Sequence, residues 1–422
     1  MLSRLSSEKK PRKRSLFFGV PHRVRWIIYL SCFSAVANGY LTMVISAYLP
    51  EIGISSSDIG LLLGVNGAAM ILTAIPFGIL ADRVGRRRIL VVSLSLIPLT
   101  LLIYAFTSDI SFLLLGSVVA GAAEGAFLSA WNAMIADLTP PGSRTKAFSM
   151  SFIFNGGFTS LGFTLPFIIP FLIPLTGWDS YSLHSAFFVV LAVLAAVSPI
   201  MLHRLLRDLK ENLRARVPGE KGLARIKGPN MRLMLKFSIF NSLIGLGAGL
   251  VIPLVPTWLY LKYGVPDSLT GPLLAACSIS MGLASLFSGR LAEKYGPVKA
   301  IAFTQGISTV FMLAIPFMPG AAPAAIVYFI RTALMNMAGP ILDSYLMGII
   351  TPEERGLASA INSIIWRIPN SVTTVIGGLM FAAGMFELPF IIAAMLYIVA
   401  ISAFFINFRN VKPLDEKGET RS

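Results

Sequence analysis

Apolar residues run along this chain in long blocks separated by short polar connections. A helix that crosses a bilayer needs about 20 mostly apolar residues, and twelve blocks meet that length: 25–49, 57–81, 89–107, 111–136, 146–173 and 183–203, then 237–261, 270–292, 298–317, 322–350, 356–384 and 387–408. The pattern predicts an all-α membrane protein of twelve transmembrane helices. The widest polar interval, 204–236, divides them into six and six. The predicted organisation is a basic arm (1–24), a first bundle (25–203), a basic linker (204–236), a second bundle (237–408) and a tail (409–422).

The connections orient the chain. Positively charged loops stay cytoplasmic, and with the N-terminus inside, 32 of the 35 Lys and Arg residues fall on the cytoplasmic side. The outer loops hold only Lys262, while Arg331 and Arg367 lie within predicted helices. A missed span would exchange inside and outside in every later loop and destroy this asymmetry. Both termini and the linker are therefore expected in the cytoplasm, with the chain in the cell membrane. The linker charges read as topological retention signals, with anionic headgroups as a second role.

Composition agrees. The 422 residues are 55% hydrophobic and 13% charged, against about 25% charged in soluble domains, and the mean hydropathy is +0.76. A formal charge of +15 would suggest nucleic acid if the basic residues shared one surface. They sit between apolar runs instead, so the bilayer is the expected partner and nucleic acid is not. The apolar block after the basic N-terminal stretch is too long for a signal peptide and reads as a retained helix. Cys32 and Cys277 lie far apart inside apolar blocks and imply neither disulfide nor metal site. No cofactor is expected.

The two halves are related. Gly78-Ile79-Leu80-Ala81-Asp82-Arg83-Val84-Gly85 has a degraded copy 211 residues later, Gly289-Arg290-Leu291-Ala292-Glu293-Lys294-Tyr295-Gly296. Thr139-Pro140 recurs as Thr351-Pro352, with an offset of 212. Matched pairs in register mean a duplicated six-helix unit, hence two pseudo-symmetric bundles. Gly78 and Gly85 permit close packing and a tight turn. Asp82 offers a carboxylate to a helix N-terminus or an arginine. Thr351-Pro352-Glu353-Glu354 reads as such an N-terminus, opening the eleventh helix.

With Arg83 and Arg86 to Arg88, segment 78–88 resembles the cytoplasmic loop signature of the major facilitator superfamily, and the resemblance extends over the whole chain. It implies that Asp82 contacts the start of the eleventh helix when the cytoplasmic side is closed, forming a latch that Gly78, Asp82, Arg83, Gly85, Arg86, Gly289, Glu293 and Gly296 would build. The chain departs from drug:proton antiporters in two places. Ser117 follows Gly116 where many members carry arginine, and the fifth helix has Gly156-Gly157, Gly162 and Pro166 without the antiporter run.

Ionisable groups at bilayer depth are functional candidates because their insertion costs a few kcal/mol. Glu124, Arg331 and Arg367 fall near mid-membrane, and Asp343 lies nearer the cytoplasm beside Pro340. The resemblance implies that helices 1, 4, 7 and 10 line a central cavity, making Glu124, Arg331 and Asp343 cavity candidates. Asn336 corresponds to Glu124 under the 212-residue offset. A structural ion pair of Glu124 with Arg331 or Arg367 is the competing reading. Asn38, Tyr40, Asn66, Asn132, Asn241, Trp258 and Gln305 read chiefly as interhelical bonds, and the Gly- and Pro-rich seventh helix as a gate.

The expected function is secondary transport of a small organic solute by alternating access, read as proton-coupled efflux by a monomer. The alternatives are a solute-uptake symporter or an anion carrier holding a carboxylate or phosphate with Arg331 and Arg367. An ATP-driven pump would need a phosphate-binding loop, and no G-x-x-x-x-G-K-[ST] occurs. An intramembrane enzyme would need a nucleophile or metal cluster, whereas His22, His184 and His203 lie far apart along the chain.

Overall fold

The computed structural model describes residues 19–208, 229–349 and 355–411, which among themselves form helices and no strand. In chain order the long helices are α1 (His22–Glu51), α2 (Ser56–Val84), α3 (Arg86–Phe106), α4 (Ile110–Leu138), α5 (Lys146–Thr176) and α6 (Ser180–Leu205). The second half follows with α7 (Leu233–Tyr263), α8 (Asp267–Tyr295), α9 (Pro297–Phe317), α10 (Ala321–Ile349), α11 (Arg355–Ala382) and α12 (Leu388–Phe408). Among the described residues ten are long and apolar enough to cross a membrane, and α8 joins them if its arms, bent by 47°, count as one span. Helix α11 is diluted by Asn362, Arg367 and Asn370, yet it is held between α2 and α7. Its polar groups thus have protein rather than lipid beside them.

The packing repeats with a period of six helices. In the first half α1 packs on α5 and α6, α2 on α4, and α3 on α4 and α6; in the second α7 packs on α11 and α12, α8 on α10, and α9 on α10 and α12. The halves meet along α2 with α11 and α5 with α8, contacts that exchange under the same shift. Small residues make the first approach possible: a Cβ on Gly60 would lie 2.8 Å from the Thr374 carbonyl and 2.9 Å from the Gly378 Cα. The turns after α2 and α8 also correspond, with Gly85 at φ 103° and Gly296 at φ 79°, where an L side chain is strained.

These two turns mark one end of the molecule, the motif end. There each half keeps its own apolar core. Val24, Ile27, Leu90 and Trp131 belong to the first, and Phe237, Ile301, Leu346 and Phe408 to the second. From mid-molecule to the opposite end a single core runs through both halves, joining Tyr40, Tyr48 and Leu62 to Val251, Trp258 and Phe390. The halves are therefore fused at the end away from the motif. Carboxylate and hydroxyl caps start helices at that end, with Ser55, Asp109 and Asp179 accepting from the amides of Asp58, Ser111 and Ser182. Hydrogen bonds from Ser182 also hold the exposed Asp179 carboxyl below its ordinary range.

Several helices are interrupted where the fold needs bends. A five-residue π segment, Val44–Tyr48, lies within α1. Short 3₁₀ turns at Leu165–Ile168 in α5 and Ile252–Leu254 in α7 carry Pro166 and Pro253, which cannot donate to the helical ladder.

Candidate functional site

Helix α4 carries two stripes. On one, Gly121 and Gly125 let the α2 backbone approach, so that a Cβ on Gly121 would lie 3.0 Å from the Met70 amide nitrogen and one on Gly125 2.5 Å from the Met70 carbonyl. On the other, Ala120, Glu124, Phe127, Leu128 and Trp131 recur at three- and four-residue spacing and line a cavity of about 910 Å³ between α1, α3, α4 and α5, with Gly282 of α8 also in its lining. That volume is at the upper end of small-molecule pockets. Phe148 and Phe152 of α5 add aromatic wall, and Asn38, Asn132 and Asn155 add amides. Among the described residues Glu124 is the one charged side chain in the lining.

A small polar network stiffens the wall. Trp131 Nε1 donates to Ser151 Oγ at 2.9 Å, Asn155 Nδ2 donates to the Ser151 carbonyl at 3.1 Å, and Ser31 Oγ donates to Asn155 Oδ1 at 3.2 Å. The lining comes from the motif-end half of α4 and α5 and the middle of α1. The cavity thus lies on the motif side of the fused core.

Glu124 also borders a second cavity of about 170 Å³, shared with Asn66, Gly67 and Met70 of α2, Pro253 of α7, and Arg367, Asn370 and Ser371 of α11. Arg367 therefore faces the same space as Glu124, although no direct ion pair joins them among the described residues. The Arg367 guanidinium reaches the Met70 sulfur at 3.4 Å. Glu124 is thus the residue common to a large apolar space and a small polar one.

The remaining intramembrane candidates lie elsewhere. Arg331 is buried inside the second bundle, where its Nη2 donates to Tyr397 Oη at 3.0 Å and its guanidinium sits 5.7 Å from that ring's centre. Asn336 Nδ2 donates to the Thr332 carbonyl at 2.8 Å, within α10, and Asp343 is exposed. Among the described residues α10 contributes nothing to either cavity. The structure brings together Glu124 and Arg367, and it keeps Arg331, Asn336 and Asp343 apart from them.

At the motif end Arg86 ties α2 to α4. It lies 3.8 Å from Asp82, donates to the Ala133 carbonyl at 3.2 Å and pairs closely with Asp137. Arg83 and Glu293 are exposed, Gly289 faces open space, and Gly78 meets only Ser129 at an ordinary distance. The Thr351-Pro352-Glu353-Glu354 segment lies outside the described residues. In α7 the glycines serve packing, with Gly245, Gly247 and Gly249 facing the Trp366 carbonyl, the Tyr397 ring and the Asn370 carbonyl.

The weaker candidates divide. Asn38 and Asn132 line the large cavity. Asn241 donates to Asn362 at 3.1 Å, Trp258 to the Phe386 carbonyl at 3.1 Å, and Asn66 approaches the Ser117 carbonyl at 3.5 Å. Gln305 is buried in the second bundle. Sequence reasoning missed a buried cluster at the end opposite the motif. There Tyr40 Oη lies 2.8 Å from His184 Nδ1, His184 Nε2 lies 3.3 Å from Asp267 Oδ2, and the Tyr48 ring stacks on the imidazole with centroids 3.6 Å apart. Two acidic or basic groups flanking helix starts were the available signal, but nothing in the sequence links positions 184 and 267.

Comparison with known proteins agrees with this architecture. The family model described as Major Facilitator Superfamily matches residues 27–244 and 237–422. The chain is 24% identical over 366 residues to the quinolone resistance protein NorA of Staphylococcus aureus (strain MSSA476), covering 84% of this chain and 89% of that one. Among solved structures it is similar to a bacterial homolog of the human lysosomal transporter Spinster in an inward-facing, unoccupied conformation, with a TM-score of 0.72, 16% identity, and coverage of 92% and 96%. A D-xylose–proton symporter gives a TM-score of 0.69 at 17% identity, covering 90% and 97%. With two matched halves, a shared twelve-helix plan and a solute-sized cavity between its helices, the chain belongs to the Major Facilitator Superfamily and is a multi-pass membrane transporter of small molecules, not an enzyme.

Proposed function

We propose that this protein exports an amphipathic, positively charged organic molecule from the cytoplasm in exchange for protons. The observation that carries the reading is Glu124, the single charged side chain, among the described residues, in a cavity whose wall is mostly apolar and aromatic with a few neutral amides and hydroxyls. Aromatic faces attract organic cations, and one desolvated carboxylate supplies the opposite charge. Because the same carboxylate can hold either a proton or the cation, each binding weakens the other by an equal factor. That reciprocity is the thermodynamic basis of exchange. On the reading that the basic connections keep the motif end in the cytoplasm, a cavity on that side of the fused core corresponds to the loading state. The likeness to a quinolone resistance protein supports export of a drug-like molecule.

The uptake and anion readings have less support. Arg367 could attract an anion into the smaller cavity, but Arg331, the second cation that reading needs, is engaged with Tyr397 inside the second bundle. The test is binding of a fluorescent lipophilic cation and of an anionic analogue to purified protein, followed by pH-gradient-driven transport in proteoliposomes. The cation should bind in preference, and Glu124→Gln should abolish gradient-driven accumulation while leaving downhill exchange partly intact. Retained accumulation in the variant, or preference for the anion, overturns the reading.

A further inference from the structure

The cluster around His184 joins the two halves at their fused end. Tyr40, Tyr48 and His184 come from α1 and α6 of the first half, whereas Asp267 opens α8 of the second. His184 is 2% exposed and Asp267 4%. A second tie lies beside it, since the Asp267 backbone amide donates to Glu51 Oε1 at 2.5 Å. A third is Thr257 of α7, whose hydroxyl donates to the Ser46 carbonyl of α1 at 2.6 Å. Alternating access requires these contacts to part when this end opens.

We infer that His184 and Asp267 form a proton-binding latch between the halves, which holds one proton when this end is closed and gives it up when the end opens. The argument is one of charge. Nε2 and Oδ2 face each other at 3.3 Å, and neither has another hydrogen-bond partner. A neutral imidazole beside a bare carboxylate would leave a net negative charge in the buried core, next to the Glu51 carboxylate. Adding one proton gives either an imidazolium–carboxylate pair or a neutral pair, and both remove that charge. Once the halves separate, water solvates both groups. Free histidine and aspartate titrate near about 6.5 and about 3.9, so above about pH 6.5 the hydrated pair releases the proton.

The surroundings leave these two as the groups that exchange it. From α1, Tyr40 caps Nδ1, Tyr48 covers the ring, and Glu51 holds the start of α8. Tyr104 of α3 and Tyr181 of α6 border the same recess, and Asp179 is occupied capping α6. From α7, Lys262 points away to Glu387 at 2.6 Å and the Pro316 carbonyl at 2.5 Å. Between about pH 6.5 and the pH at which the closed pair itself deprotonates, the closed state binds up to one more proton than the open state. Closure is therefore favoured by acid at this end, by at most about tenfold per pH unit.

This latch is independent of how Glu124 handles substrate. The experiment measures the separation of spin labels at the exposed positions Ser108 and Met385, introduced as cysteines in full-length protein lacking Cys32 and Cys277, between about pH 5.5 and 8.5. The open-to-closed ratio should rise with pH above about pH 6.5, by at most about tenfold per pH unit, and level off once the closed pair deprotonates, and His184→Gln and Asp267→Asn should each flatten the profile. A flat profile with the latch residues intact overturns the inference without recourse to either variant. So does a pH dependence retained in both. On a Glu124→Gln background the profile should persist; its loss there would move the proton to Glu124, sinking the latch but leaving the export reading intact.

Discussion

The two six-helix halves share one packing plan and treat charge in opposite ways. In the first half α4 turns Glu124 toward a cavity, with aromatic rings around it and no cation in direct contact. In the second half the corresponding helix, α10, places Asn336 at the matching position and binds it to its own backbone. The charge on α10 is Arg331, enclosed by the bundle, with Nη2 donating to Tyr397 and the guanidinium against that ring. Helix α4 lines a large cavity, whereas among the described residues α10 contributes to neither of the two cavities that Glu124 borders. Duplication fixes which helices touch, because glycines at crossing points set the backbone approach. Side chains facing away from those crossings can diverge without moving a helix.

The sharpest way to break this comparison is to remove the partner of the enclosed charge. Tyr397→Leu deletes both the hydrogen bond and the aromatic face beside Arg331, stranding a buried cation. The expected loss is about 3–5 kcal/mol of stability. Tyr397→Phe keeps the ring and should lose about 1.5–3 kcal/mol. Glu124→Gln should cost less than about 1 kcal/mol, because no hydrogen-bonded partner is left behind. Thermal unfolding of the three variants in detergent checks the order. A Glu124→Gln loss as large as that of Tyr397→Leu would mean that Glu124 is a structural ion and the contrast between the halves is false.

A second test asks whether the halves are as equivalent in backbone as they are unlike in charge. Gly85→Ala and Gly296→Ala each force an L side chain to positive φ, at a cost of about 1–2 kcal/mol. The two losses should be nearly equal, since each glycine ends the second helix of its half. Midpoints differing by more than the cost of one substitution would show that one turn bears a load the other does not.

Much of the fold was legible in the sequence because bilayer thickness sets the length of an apolar block and duplication repeats it. Even α11 was legible as a block, although Asn362, Arg367 and Asn370 lower its hydropathy. The site was less so. Glu124, Arg331 and Arg367 are flagged by the same rule, a charge inside an apolar run, but what each faces depends on helix rotation and on neighbours far along the chain. The partner of Arg331 is 66 positions away, and Met70 is 297 positions from Arg367. The latch around His184 was illegible for the same reason. A histidine five residues beyond a capping aspartate looks like a membrane-edge residue until α8 of the other half covers it.

The smallest effect on stability, and the most specific effect on movement, is expected at the motif. Arg86 has Asp137 as its close partner and Asp82 only at 3.8 Å, so Asp82→Asn should change stability by less than about 0.5 kcal/mol. The turn after α8 has no such arrangement, because Pro297 stands where Arg86 does in the first half. If Asp82 latches onto the start of α11 when the motif end closes, its charge interacts with a helix N-terminus in that state alone. Such a contact is worth about 0.3–1 kcal/mol, or about two- to fivefold in the rate of a step that depends on it. Asp82→Asn should therefore slow substrate flux by that factor with ligand binding unchanged, whereas Glu293→Gln, its counterpart in the second half, should leave flux as it was. Flux and binding measured together in proteoliposomes at matched protein density separate the two. Equal slowing by both substitutions would show that the motif acts symmetrically, and undiminished flux in Asp82→Asn would remove the latch from this residue.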